Sequence, residues 1–68
     1  MHDLVEQITK LATDFPIGCQ VRVVADDVLG RVVGYRKGAH IKRPNELALI
    51  VNIPADTWVL YSDQVELQ

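Results

Sequence analysis

Four cations fall within the eight residues 36–43, Arg36, Lys37, Lys42 and Arg43, with Tyr35 just before them and His40 among them. Guanidinium and ammonium groups beside an aromatic face form the kind of group that grips phosphates and stacks on a base, or meets an acidic protein surface. The rest of the chain makes this cluster stand out. Residues 22–43 sum to +4, whereas residues 1–21 sum to -2 and residues 44–68 to -4, for a net charge of -2 and a pI near 5.5. A dedicated nucleic-acid binder is usually basic overall, and a solvated loop is often rich in Lys and Arg without any ligand, so the cluster names a surface and leaves the partner open.

The aromatic residues form a second candidate surface. In Trp58-Val59-Leu60-Tyr61 the side chains alternate across a strand, which places Trp58 and Tyr61 on opposite faces and predicts that one of them is exposed. Nucleophilic, acid-base and metal chemistry find no comparable support. His2 and His40 belong to no triad or ligand spacing. Asp26-Asp27 and Asp63 with Glu66 sit at turn positions, where Asp serves the backbone, and the single Cys19 precedes a strand as a small hydrophobe would. No phosphate-cradling glycine motif occurs, and no metal or cofactor is expected.

These residues need elements to hold them. Leu4, Ile8, Leu11, Ala12 and Phe15 recur at helical spacing and predict an amphipathic helix over residues 1–15, capped through Asp3 and Glu6, with Gln7 on its polar face and Pro16 and Gly18 ending it. Beyond it the period becomes that of strands. Residues 20–25 and 30–35 read as the first two, with Gly30 and Gly34 marking a bulge or a close backbone approach, and residues 36–46 read as a loop. Residues 47–53 are almost continuously apolar, which predicts a third strand covered on both faces. Pro54-Ala55-Asp56 turns into a fourth strand at 57–61, and residues 62–64 make a one-turn break before a last strand at 65–67.

The expected fold is therefore mainly β: a small five-stranded SH3-like barrel (residues 18–68) preceded by one N-terminal amphipathic helix (1–15), in a single domain spanning 1–68. A chain of 68 residues buries only about 60% of its unfolded surface. With 49% hydrophobic residues it carries more apolar side chains than so small a barrel hides, which points to homo-oligomerisation through the third and fourth strands. No membrane span or signal peptide is recognisable, and one unpaired cysteine fits a reducing, cytoplasmic setting.

The pattern Phe15, Gly18, Val21-Arg22, Gly30, Val32-Val33-Gly34-Tyr35 and Trp58-Val59-Leu60-Tyr61, running from Phe15 to Leu67, resembles the plasmid-borne type II dihydrofolate reductases. That resemblance implies an SH3-like barrel that assembles as a tetramer around a central pore, where folate and NADPH stack. Val59, Leu60 and Tyr61 would then line the pore, with Trp58, Leu60 and Tyr61 matching the apolar and tyrosine positions of the family's Val-Gln-Ile-Tyr strand. Val59 stands where that family has its pore glutamine, and Val23 where it has a lysine that draws in the anionic ligands. The same glycines and valines are similar to KOW-type barrels, which bind RNA or protein through their loops.

Three functions follow as expectations. The first is a non-enzymatic binding module that recognises a protein, RNA or DNA through the 35–43 loop, with Tyr35, Arg36, Lys37, Lys42, Arg43, Trp58 and Tyr61 as contacts. The second is an NADPH-dependent reductase built on the pore. The third is a structural or inhibitory subunit that docks through its N-terminal helix.

Overall fold

A computed structural model describes residues 2–37, 42 and 46–68, with side chains from Val5 onward. The elements run helix α1 (His2–Asp14), then strands β1 (Gln20–Val23), β2 (Val28–Lys37), β3 (Leu47–Ile53) and β4 (Asp56–Leu60), a 3₁₀ turn (Ser62–Gln64) and strand β5 (Val65–Leu67). Asp3 lies inside the first helical turn and not at its cap. All strand pairs are antiparallel and form one sheet in the order β4-β3-β2-β1-β5.

The fold is mainly β with one N-terminal helix, as the sequence predicts, but the sheet is open. β4 and β5 end it without pairing to each other. It is nonetheless strongly curled, because three strands separate β4 from β5 and would hold them about 19 Å apart in a flat sheet. Residues 61–64, mostly in the 3₁₀ turn, reach on the order of 13 Å. The turn also explains the missing closure: Tyr61 N–H donates to Gln64 Oε1 at 2.8 Å and Gln64 N–H to the Tyr61 carbonyl at 2.9 Å, so these groups are used locally.

The concave side holds the core, formed by Leu11 of the helix and Val21, Val23, Val32, Leu47, Leu49, Val51, Ile53 and Val65 of the sheet. Gly30 is required here. A Cβ at this position would lie 2.6 Å from Val51 Cγ1 and 3.0 Å from the Asn52 carbonyl oxygen, the close approach its sequence context predicts. The predicted bulge is present as well: Val32 pairs with Val51 and Gly34 with Ile50, leaving Val33 as the extra residue.

The helix departs from expectation in how it packs. Leu11 is buried and Phe15 rests on the core, yet Ile8 is 42% exposed and Ala12 is exposed. The contact falls at the start of β3, where Gln7, expected on the solvent face, accepts the Leu47 N–H at 3.1 Å. The helix thus caps one end of the core. It does not lie along the sheet's outer side.

Candidate functional site

β2 is longer than the sequence implies, and its length relocates half of the basic cluster. Arg36 and Lys37 lie within the strand, paired with Ala48 and Leu47, and both side chains are exposed. Lys42 is exposed too, while Arg43 lies outside the described residues. The bulge at Val33 decides which way these side chains face. Before it, Gly30 and Val32 are buried and Arg31 exposed; after it, Tyr35 turns inward opposite the fully buried Leu49, and Arg36 turns out.

Tyr35 is therefore not a stacking face beside the cations. It is half-buried, and its hydroxyl donates to the Phe15 carbonyl at 2.7 Å, tying β2 to the residue just after the helix. Burial raises its phenol above the ordinary value, with the neighbouring Cys19 thiol adding to the effect. Cys19 is itself half-buried, and its thiol is pushed up by desolvation, the wrong direction for a nucleophile.

The strand-four residues also differ from expectation. Trp58 pairs with buried Val51 and Leu60 with buried Leu49, so both face inward and pack on the core. Tyr61 should face outward by alternation, but the chain leaves the strand at Leu60 and Tyr61 is only 6% exposed. Neither Trp58 nor Tyr61 is the free aromatic that the alternation predicts. The three residues expected to line a pore are divided: Val59 points out, Leu60 packs inward and Tyr61 is buried.

The surface that the register does assemble is the outer face of β2, β3 and β4. Gly34, Ile50 and Val59 stand side by side across it, with the bulged Val33 adjoining and exposed. Above this row lie Arg36 and Ala48. Below it lie Gln20, Arg31, Asn52 and Thr57, and then Leu29, Arg22 and Glu66. Cover on this face thins along β3, from buried Ala48 through half-buried Ile50 to exposed Asn52, so the expected two-sided cover is only partly realised. A shallow depression of about 430 Å³ opens beside Leu29, Arg31 and Asn52.

The arginines of this face are not equivalent. Arg22 is held by Asp27 at 3.0 Å and Glu66 at 2.6 Å, and these hydrogen bonds raise its pKa further. Arg31 donates to the Gly18 carbonyl at 3.0 Å, and among the described residues no carboxylate pairs with Arg31 or Arg36. Val33, Ile50 and Arg31 were not singled out by sequence reasoning, and Val59 entered only as a pore-lining residue implied by the reductase resemblance. The bulge signal in Val33-Gly34, combined with the strand register, would have found them.

A second recess of about 320 Å³ lies between the helix and the start of β3, with Lys10, Asp14 and Glu46 around a floor of Leu11 and Leu47. Among the described residues no group of His, Cys, Asp or Glu is arranged to hold a metal ion, and no helix is long and apolar enough to cross a membrane. Compared with protein-family models, curated proteins and solved structures, the chain matches none, so the functional reading rests on the outer sheet face.

Proposed function

We propose that this protein is a non-enzymatic binding and assembly module that takes an acidic, partly apolar protein surface on the outer face of its sheet. One observation carries the reading: an apolar row of exposed Val33, half-buried Ile50 and exposed Val59 is bordered by Arg31 and Arg36, neither of which has a carboxylate partner among the described residues. An apolar patch rimmed by charge is the usual anatomy of a protein interface. Arg36, paired with Ala48, marks one end of this row, whereas Lys37, paired with the core residue Leu47, stands on the opposite face.

A protein partner is favoured over nucleic acid because base stacking needs a free aromatic face. Tyr35 is half-buried with its hydroxyl engaged, Trp58 packs inward and Tyr61 is buried. A reductase pore gains no support either, since the tyrosine that would line it belongs to the protein's own interior.

The test is a titration of isotopically labelled protein with a synthetic peptide alternating Glu and Leu, and in parallel with a thymidine oligonucleotide, followed by amide shifts. Shifts at Arg31, Val33, Arg36, Ile50 and Val59 with the peptide, weakened at least about tenfold in the Arg36→Ala/Val59→Ser variant, are expected. Tighter binding of the oligonucleotide, or shifts confined to the helix, would overturn the reading.

A further inference from the structure

Resting on the reading just given, we infer that the occupant of the outer sheet face is helix α1 of a second copy of this chain, exchanged reciprocally in a two-fold dimer. The chain has a second unpartnered apolar surface that fits the role. Val5 is 65% exposed and Ile8 42%, and with exposed Ala12 they stand at i, i+3 and i+7, which forms one stripe along the helix. A helix of 13 residues is about 20 Å long, against about 23 Å for the seven residues of β3, so it fits along the strand direction.

Charge favours the same pairing. Residues 2–14 contain Asp3, Glu6 and Asp14 against Lys10, an acidic element, while the outer sheet face offers Arg31 and Arg36. Arg22, on that same face, already has its own acids. Opposite charge on two apolar surfaces of one chain is the condition for an isologous contact made twice.

Growth of the sheet at its β4 edge is the competing way to cover Val59, and the structure blocks it. Pro54 and Ala55 form a two-residue turn between the paired Ile53 and Asp56, so by the alternation of an antiparallel ladder the N–H groups of Thr57 and Val59, and of Tyr61 beyond them, point away from β3. Asp56 Oδ1 accepts the first at 2.7 Å and Gln64 Oε1 accepts the last at 2.8 Å. Only Val59 is left to donate to an added strand, and β5, at the other edge, is three residues long. An edge defended in this way leaves a face-on contact as the route to cover the apolar row.

The experiment is sedimentation of the full chain from micromolar to millimolar concentration, with two variants. Val5→Gln/Ile8→Gln alters only the helix stripe and Val33→Ser/Val59→Ser only the sheet row; all four residues are exposed, and circular dichroism confirms that each variant folds. The wild-type chain is expected to dimerise, more tightly at low salt, and each variant alone to dimerise at least about tenfold more weakly. Mixing the two, one carrying a mass tag, is expected to restore a heterodimer, because one helix-on-sheet contact is then intact.

A wild-type monomer at millimolar concentration, a dimer indifferent to either variant, or variants that fail to rescue each other would overturn the inference, the last because it signals like-on-like contact. Those failures leave the outer face open to a foreign partner, which the peptide titration reads separately. If the sheet variant changes neither the dimer nor the peptide titration, the broader reading falls with this one.

Discussion

The concave and outer faces of the sheet are made from the same kinds of side chain, often from consecutive residues, and meet opposite environments. Along β3, Leu49 and Val51 are fully buried, while Ile50 between them is half-buried and Asn52 beyond is exposed. On the concave side the buried residues come from the helix and from β1, β2, β3 and β5, and together form one core. On the outer side the same apolar chemistry is flanked by arginines and only partly covered, with Val33 and Val59 exposed. The lesson is that hydrophobicity alone does not separate the core from the outer face. The neighbours across the ladder do.

The largest effect is expected from breaking the concave side. Leu49→Ala removes a fully buried side chain from the core and should cost about 2–5 kcal/mol in chemical denaturation, as large-to-small core substitutions do. Ile50→Ala, one residue along on the other face, should cost the monomer less than half as much. Equal losses at the two positions would mean that the outer face is packed as tightly as the core.

Gly30 tests the closeness of that packing from the opposite direction. Gly30→Ala forces a methyl against Val51 Cγ1 and the Asn52 carbonyl, both part of the sheet itself, so overpacking should cost about 1–3 kcal/mol in the same measurement. Gly18→Ala makes a useful contrast. Its Cβ would meet nothing within 4 Å, and its cost would come from the backbone alone, held at φ +95°.

How far the sequence reveals these faces depends on what sets each one. The helix, the five strands and the one-turn break follow from local period and turn residues, and the need for Gly30 and the bulge follows from glycines in a valine-rich strand. What stayed hidden was the consequence of the bulge. One extra residue at Val33 reverses the alternation, turning Tyr35 inward and Arg36 outward. Tyr61 was misplaced for a related reason, since strict alternation stops where the 3₁₀ turn begins. The extra pairing that draws Arg36 and Lys37 into β2 depends on Leu47 and Ala48 of a distant segment, which no local window contains. The candidate interface is thus a product of register, and of the basic cluster only Arg36 is placed on it.

A smaller effect is expected where the helix junction meets the concave side. Tyr35→Phe deletes the hydroxyl that Phe15 accepts and should cost about 0.5–1.5 kcal/mol, the ordinary worth of one such bond. The same region predicts alkaline sensitivity. Burial raises the Cys19 thiol above its ordinary 9.0 and the Tyr35 phenol above its ordinary 10.0. The unfolded chain therefore releases these protons before the folded one does, and stability should hold below pH 9 and decline as pH rises through the folded values. Cys19→Ala should remove the earlier part of that decline in thermal melts recorded across the range. A decline unchanged by both Cys19→Ala and Tyr35→Phe would place its origin elsewhere.

The smallest effects should separate the arginines of the outer face from one another. Arg22 is engaged by Asp27 and Glu66, bridging the β1–β2 turn and β5, whereas Arg36 meets no carboxylate among the described residues. Exposed ion pairs contribute little and are screened by salt. Arg22→Gln should therefore lower the melting temperature slightly at low ionic strength, with the difference vanishing at high salt. Arg36→Gln should leave the melting temperature unmoved at either. The order reverses for association, where Arg36→Gln should weaken the proposed dimer at low salt and Arg22→Gln should not, because the acids around Arg22 already neutralise it. An Arg36 substitution that shifts melting more than an Arg22 substitution would show that Arg36 serves the fold, and the outer face would lose the charge on which its partner depends.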